Sequence, residues 1–122
     1  MKTVMVVDDS RVMRNIVIKT FEQLKIPVQF LEAPDGEKGL QVLLSNKVDL
    51  VLLDWNMPNL SGIDFLKQVR AMDGYKNTPI IMVTSEASRI NIVEAVREGV
   101  TAYITKPFNH AVFMDKLSKI NF

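Results

Sequence analysis

At 122 residues the chain is long enough for one domain with a buried core. Hydrophobic content of 48% and charged content of 24% are ordinary for a soluble globular protein. A net charge of +1 excludes a whole-chain pull toward nucleic acid or membrane, and the absence of cysteine excludes disulfides and thiol chemistry.

Strand-like and helix-like segments alternate throughout. The N-terminus, Met1-Lys2-Thr3, leads straight into a short strand over residues 3–7. That run is too short for a signal-peptide core, and no stretch approaches transmembrane length, so a cytoplasmic protein is expected. Ser10 is placed to cap a helix to about Lys25, with Met13, Ile16, Val17, Thr20, Phe21 and Leu24 on one face. Pro27 stops it, and residues 28–31 read as a second strand. Asp35 caps a helix through about Asn46 that buries Leu40, Leu43 and Leu44. Residues 49–53 form the third strand; Ser61 then caps a helix with Ile63, Leu66, Val69 and Met72 inward. Residues 79–83 form strand four, and a fourth helix covers about 88–98, closed by Gly99 as a C′ glycine. Residues 101–105 form strand five. Asn109 caps the last helix, with Val112, Phe113, Leu117 and Ile120 inward. The chain ends about where that helix should, so a single domain over 1–122 with no output domain is expected.

This (βα)₅ pattern predicts an α/β fold: a doubly wound, five-stranded parallel sheet of order 2-1-3-4-5, flavodoxin-like. Strands one, three and four are nearly all apolar, as strands covered on both faces should be. In this order strands one and three are neighbours, about 4.8 Å apart. Ligands bind beyond the carboxyl ends of such strands, where the order reverses. Asp8 and Asp9 directly follow strand one and Asp54 directly follows strand three, so three carboxylates share that crevice. Two like charges ~4 Å apart repel by about 4 kcal/mol at an effective dielectric near 20. Such a cluster needs a cation, and hard oxygen ligands point to Mg²⁺. Strand four ends at Thr84-Ser85 and strand five at Thr105-Lys106-Pro107. A phosphoryl group would need this set: Mg²⁺ and Lys106 to neutralise its oxygens, and Thr84 to donate a hydrogen bond. A lone strand-end Asp is usually a turn former or cap, and a lone Lys is usually solvated. All five at the carboxyl ends of four strands is a far less ordinary arrangement. Composition and spacing leave open which of Asp54, Asp8 and Asp9 would accept a phosphoryl group.

The runs Val6-Val7-Asp8-Asp9-Ser10, Asp54-Trp55-Asn56-Met57-Pro58, Val83-Thr84-Ser85-Glu86 and Tyr103-Ile104-Thr105-Lys106-Pro107-Phe108 occur in the order found in response-regulator receiver domains, the phosphoacceptors of two-component signalling. The chain resembles that family over essentially its whole length, and most closely its single-domain chemotaxis regulators. Met13-Arg14 early in helix one is a further shared detail.

The resemblance implies that Asp54 accepts the phosphoryl group from a histidine kinase's phosphohistidine. It implies that Asp9 binds Mg²⁺ directly and Asp8 directly or through water, with Asp54 and the Asn56 backbone carbonyl completing the protein ligands. Thr84 and Lys106 would hold the phosphoryl oxygens, and Asn56 and Glu86 would tune phosphate loss. The domain would be no enzyme beyond self-catalysed phosphotransfer and slow autodephosphorylation. A cis Lys106–Pro107 bond and a Thr84–Tyr103 switch are also implied.

Helix four adds an independent clue. At ~100° per residue, Ile90, Ile92, Val93 and Val96 span about 160°, more than a core-facing stripe requires. One edge is expected to be exposed. By resemblance, the face of helix four, strand five and helix five binds the flagellar motor switch and the kinase, with Ile92, Tyr103 and Lys116 at matching positions; Arg89, Val96 and Phe108 are expected on the same face. Val96 is bulkier than the small residue usual there. A phosphatase is the other partner implied; a monomer with no nucleic-acid or membrane partner is expected. His110 reads as a surface residue, and the seven methionines as mostly core filler.

Other classes fit less well. A haloacid-dehalogenase-type hydrolase carries its Asp-x-Asp after the first strand, whereas Asp54-Trp55-Asn56 follows the third. A flavodoxin-like electron carrier needs a phosphate-cradling loop after strand one, where Asp8-Asp9 has the wrong charge. A pseudo-receiver would lack some of the five site positions. Within the family, a single-domain phosphorelay intermediate or a stand-alone regulator outside chemotaxis is the alternative to a chemotaxis regulator.

Overall fold

Strands and helices alternate along the computed structural model, which describes residues 1–120 and 122. They are β1 (Lys2–Val7), α1 (Arg11–Glu22), β2 (Val28–Ala33), α2 (Gly36–Ser45), β3 (Leu50–Leu53), α3 (Gly62–Arg70), β4 (Ile80–Thr84), α4 (Arg89–Arg97), β5 (Ala102–Thr105) and α5 (His110–Ser118). All pairings are parallel, in the predicted order β2-β1-β3-β4-β5.

Alternation along each strand creates two cores, because successive side chains point to opposite faces. Met5, Val7, Val51, Leu53, Ile80 and Met82 pack with Leu43, Phe65, Leu66, Val69 and Ala95 under α2, α3 and α4. Val4, Val6, Leu50, Leu52, Ile81, Val83 and Ile104 pack with Val17, Phe21, Phe113 and Leu117 under α1 and α5. Each helix begins at a side chain that accepts the N3 amide: Ser10, Asp35, Ser61, Ser88 and Asn109. Each cap is worth about 1 kcal/mol. Gly99 closes α4 with φ 93°, as predicted.

Boundaries differ where local turns or strand pairing decide. α1 ends at Glu22 instead of near Lys25, because the Leu24 and Lys25 amides turn back to Phe21 and Glu22 and Lys25 takes φ 58°. β2 runs on to Ala33 because β1 pairs with it as far as Val7↔Ala33. Asp49, Pro79 and Thr101 lie just outside the strands they were expected to start, although each still bonds to a neighbouring strand through its backbone.

Three expected core residues face water: Leu44 is 77% exposed, Ile16 43% and Val112 41%. Each lies about 100° from the buried neighbour that defines its helix face: Leu43, Val17 and Phe113. In α2 the face is set by close approach: a Cβ on Gly39 would lie 2.8 Å from the Phe65 ring, so α2 rolls onto its glycines. In α1, Ile18 packs against the core in place of Ile16. Only Met5 and Met82 of the methionines are fully buried; Met57 and Met72 flank the core, Met13 is half-buried, and Met1 and Met114 are exposed.

Phe21 anchors the α1–α5 layer, edge-on to Phe30, Phe113 and Phe122 at 5.7, 6.2 and 6.1 Å. Phe21→Ala is expected to cost about 3–5 kcal/mol, a large share of a typical ~5–15 kcal/mol domain stability. Urea unfolding reads this directly, and a loss below about 1 kcal/mol would mean the layer collapses over the cavity.

Candidate functional site

The register of the central strands builds the site. Val7 pairs with Leu53, so Asp8 and Asp54 emerge side by side. The Asp54 amide donates to the Val7 carbonyl at 2.9 Å, and the Asp8 amide to the Ala33 carbonyl at 3.1 Å. Asp8 and Asp54 are buried and Asp9 is exposed. One oxygen from each lies within 4.8 Å of the other two.

Lys106 enters from β5. The Thr84↔Thr105 register and the Lys106 amide's 2.8 Å bond to the Thr84 carbonyl aim it across the sheet edge. Its Nζ lies 3.0 Å from Asp8 Oδ2 and 3.7 Å from Asp54 Oδ1. The Lys106–Pro107 bond is cis, as the resemblance implied. Thr84 is fully buried at the end of β4. The Trp55 amide donates to Asp54 Oδ1 at 2.8 Å. Burial nevertheless pushes the Asp54 carboxyl above its usual range, and Asp8 adds to the rise; Lys106, Thr84 and the Trp55 amide oppose it.

The arrangement is anionic and oxygen-rich, with one ammonium against three carboxylates. Oxygens in one octahedral Mg²⁺ shell at ~2.1 Å lie at most about 4.2 Å apart. Oxygens of Asp8, Asp9 and Asp54 within 4.8 Å of one another can therefore reach one such shell by side-chain adjustments on the order of an ångström. The donor set fits a hard divalent cation. A cleft of about 510 Å³, lined by Asp9, Trp55, Asn56, Met57, Pro58 and Ser61, opens beside it. A larger cavity of about 1140 Å³ near Lys2, Lys47, Tyr75 and Pro79 lies away from every one of these groups.

The remaining expected residues divide. Asn56 is exposed and donates its amide to Glu86 Oε1 at 2.7 Å. Tyr103 is half-buried, and its hydroxyl donates to the Glu86 carbonyl. Burial, with Glu86 and Asp54, pushes the Tyr103 phenol up to about 12. The neutral phenol's stabilisation is complete below the ordinary value of 10.0 and is lost as pH rises through about 12. Tyrosinate absorbance is expected to show this late step in the wild type and to lose it in Tyr103→Phe. A single step near the ordinary value would contradict it.

α4 leaves its apolar side open, as expected: Ile90 is 81% exposed and Val96 62%, and only Ala95 is buried. Arg89 is exposed, and Ile92 and Lys116 are half-buried. Tyr103 packs with the α2–α3–α4 layer, whereas Phe108 stacks on Phe113 at 5.4 Å in the α1–α5 layer. The two aromatics thus belong to opposite faces of the sheet.

Two residues outside the expected set also belong to the site's surroundings. Arg14 donates to the Asp8 carbonyl at 2.6 Å and pairs with Glu32 at 2.9 Å, tying α1 to β1 and β2. Asn91 donates to Glu86 Oε2 at 3.1 Å. Its only sequence signal is its place three residues after a capping serine.

Fold and site together define a flavodoxin-like α/β protein with a strand-end acidic cluster at the switch point of its sheet. The chain belongs to the response regulator receiver domain family, which it matches over residues 4–118. It is 41% identical over 117 residues to the chemotaxis protein CheY of Pseudomonas aeruginosa, covering 96% of this chain and 94% of that one. It is 43% identical over 117 residues to CheY-3 of Vibrio cholerae, covering 96% and 89%. The solved structure of Vibrio cholerae CheY4 superposes with a TM-score of 0.89 at 33% identity, covering 99% of each chain. The protein is therefore a CheY-type receiver domain, of the class of two-component signalling phosphoacceptors. Receiver domains bind Mg²⁺ at an acidic cluster of the kind formed by Asp8, Asp9 and Asp54.

Proposed function

We propose that Asp54 is the phosphoacceptor. The observation that carries this is the placing of Lys106 between Asp8 and Asp54, with Thr84 buried beside them. Asp8 is the more tightly held: its Oδ1 accepts the Ser10 amide at 2.9 Å and its Oδ2 takes the closer lysine contact. Asp9 is exposed. Asp54 is buried as well, and it stands beside Lys106 and Thr84, the groups that would neutralise a phosphoryl group.

An Asp54 oxygen attacks the phosphorus of a kinase phosphohistidine. The new O–P bond forms as the P–N bond breaks, and the departing imidazole takes up a proton. Lys106 balances charge on the phosphoryl oxygens, and the Thr84 hydroxyl donates to one of them. Asp8, Asp9, Asp54 and the Asn56 carbonyl would hold Mg²⁺, which would supply charge neutralisation there. Hydrolysis later returns inorganic phosphate and free Asp54, and Asn56 and Glu86 set its pace.

The output we propose is binding of the flagellar motor switch by α4, β5 and α5, through Arg89, Ile92, Val96, Tyr103, Phe108 and Lys116. Exposed apolar residues on α4 and similarity to chemotaxis proteins support this. The protein would act as a cytoplasmic, monomeric, single-domain regulator. Among the described residues no helix is long and apolar enough to cross a membrane. A relay role is the second reading, favoured by Val12 and Ile16, exposed at 68% and 43% on α1 beside the site.

Incubation with Mg²⁺ and acetyl phosphate is expected to add one phosphoryl group to the intact mass and to quench Trp55. Asp9→Asn, which removes a charged ligand, should raise the Mg²⁺ concentration required by at least the roughly 10-fold lost with a mere outer-shell partner. No mass change at saturating Mg²⁺ would overturn the proposal. A phosphate lifetime of many minutes would favour the relay over chemotaxis.

A further inference from the structure

Glu86 is a four-way junction. Its amide donates to Thr84 Oγ1 at 3.2 Å and its carbonyl accepts the Tyr103 hydroxyl. One carboxylate oxygen accepts the Asn56 amide at 2.7 Å, and the other accepts the Asn91 amide at 3.1 Å. Every hydrogen-bonding group of the residue is used, and the partners come from β4, β5, the loop after β3, and α4.

Asn56 lies two residues beyond Asp54, and Glu86 two beyond Thr84. The Asn56–Glu86 bond therefore bridges the rim of the crevice between the ends of β3 and β4. Asn91 is the third residue of α4, and its own amide is fixed by Ser88 Oγ at 3.2 Å. Its side chain is thus held by a capped helix turn. Glu86 lies just ahead of that turn, where the positive end of the helix also favours a carboxylate.

We propose that Asn91 is a positioning residue that clamps Glu86 against Asn56, so that the seating of α4 controls how fast the aspartyl phosphate is lost. This rests on the reading of Asp54 as phosphoacceptor. Hydrolysis requires a water to reach the phosphorus in line with the Asp54 oxygen, and positioning governs that step. With Asn91 in place the bridge stays closed over one side of the crevice. Without it, the Glu86 carboxylate keeps a single partner, Asn56, the bridge loosens, and water gains access. A partner that shifts the first turn of α4 would change phosphate lifetime by the same route.

The test uses the full chain, phosphorylated with acetyl phosphate, freed of donor by rapid desalting into Mg²⁺ buffer and followed by intact mass. Asn91→Ala is expected to lose phosphate about three- to tenfold faster, the span expected from one net hydrogen bond. Asn91→Gln, which keeps a donor, should fall nearer the wild type. Glu86→Ala and the Glu86→Ala/Asn91→Ala double variant should decay at one rate, because Asn91 acts only through Glu86. An Asn91→Ala rate equal to that of the wild type overturns the proposal. So does an undiminished Asn91→Ala effect in the Glu86→Ala background. If the wild type takes up no phosphoryl group, the phosphoacceptor reading fails first, a result distinct from either of these.

Discussion

Asp54→Asn is expected to abolish phosphorylation and, without metal, to stabilise the fold. The amide oxygen is a poor nucleophile, so no phosphoryl adduct should appear in the intact mass at any donor concentration. The stability gain comes from removing a charge the site holds at a cost. Burial is the main reason the Asp54 carboxyl is raised above its ordinary 3.8, with Asp8 adding to it against Lys106. The folded protein keeps that proton at pH values where the unfolded chain has released it. The stability this provides is complete below 3.8 and is lost as pH rises through the raised folded value. The variant escapes that loss. Its advantage should be full at neutral pH and vanish in acid. Relief of a strained functional site is typically worth about 0.5–2 kcal/mol, or roughly 2–8 °C in Tm for a domain of this size. Mg²⁺ should reverse the order: at a hundredfold excess over Kd it stabilises the wild type by about 2.7 kcal/mol, and the variant lacks one ligand. Thermal melts from pH 3 to 8, with Mg²⁺ and with chelator, check each part. An equal or lower chelator Tm for the variant at neutral pH would contradict the electrostatic account.

Gly62→Ala is expected to damage the site from a position that bears no chemistry. A Cβ there would lie 2.1 Å from the Asp54 carbonyl oxygen and 2.8 Å from Trp55 Cα, both backbone atoms that have no rotamer to change. The Gly62 amide also donates to the Trp55 carbonyl at 2.8 Å. The start of α3 must therefore move off the end of β3 or push Asp54 out of line. Overpacking of this kind costs about 1–3 kcal/mol, and a displacement near 1 Å at reacting groups costs about 100-fold in rate. Phosphorylation by acetyl phosphate should slow by about that factor, with a lowered Tm. Wild-type rate and Tm together would show that the α3 start yields without cost.

Much of this was legible in the chain because it is local or periodic. Ser10, Asp35, Ser61 and Asn109 announce helix starts, since a short polar side chain before an apolar-periodic run satisfies the first free amides. Apolar runs followed by Asp8-Asp9, Asp54, Thr84 and Lys106 define strand ends on one side of the sheet. Helical crossovers make all the strands parallel, which brings those ends to one edge. The acidic cluster, the lysine and the buried threonine follow from strand order alone.

Other features depended on how elements dock. Periodicity tells that α2 has an apolar face but not its centre, and Gly39 against Phe65 turned Leu44 outward. The same freedom exposed Ile16 and Val112. Phe108 and Tyr103 lie five residues apart, but the turn after β5 sends them to different layers. The Glu86 junction joins Thr84, Asn56, Asn91 and Tyr103, drawn from four segments. The sequence by itself determined the fold class, the strand order and which polar groups stand at the strand ends, because these rest on local propensity and a strict alternation of elements. Only the tertiary structure decided which helix flanks are buried, why Gly62 must lack a side chain, and how Glu86 links the site to α4, because these depend on sub-ångström packing between segments far apart in the chain.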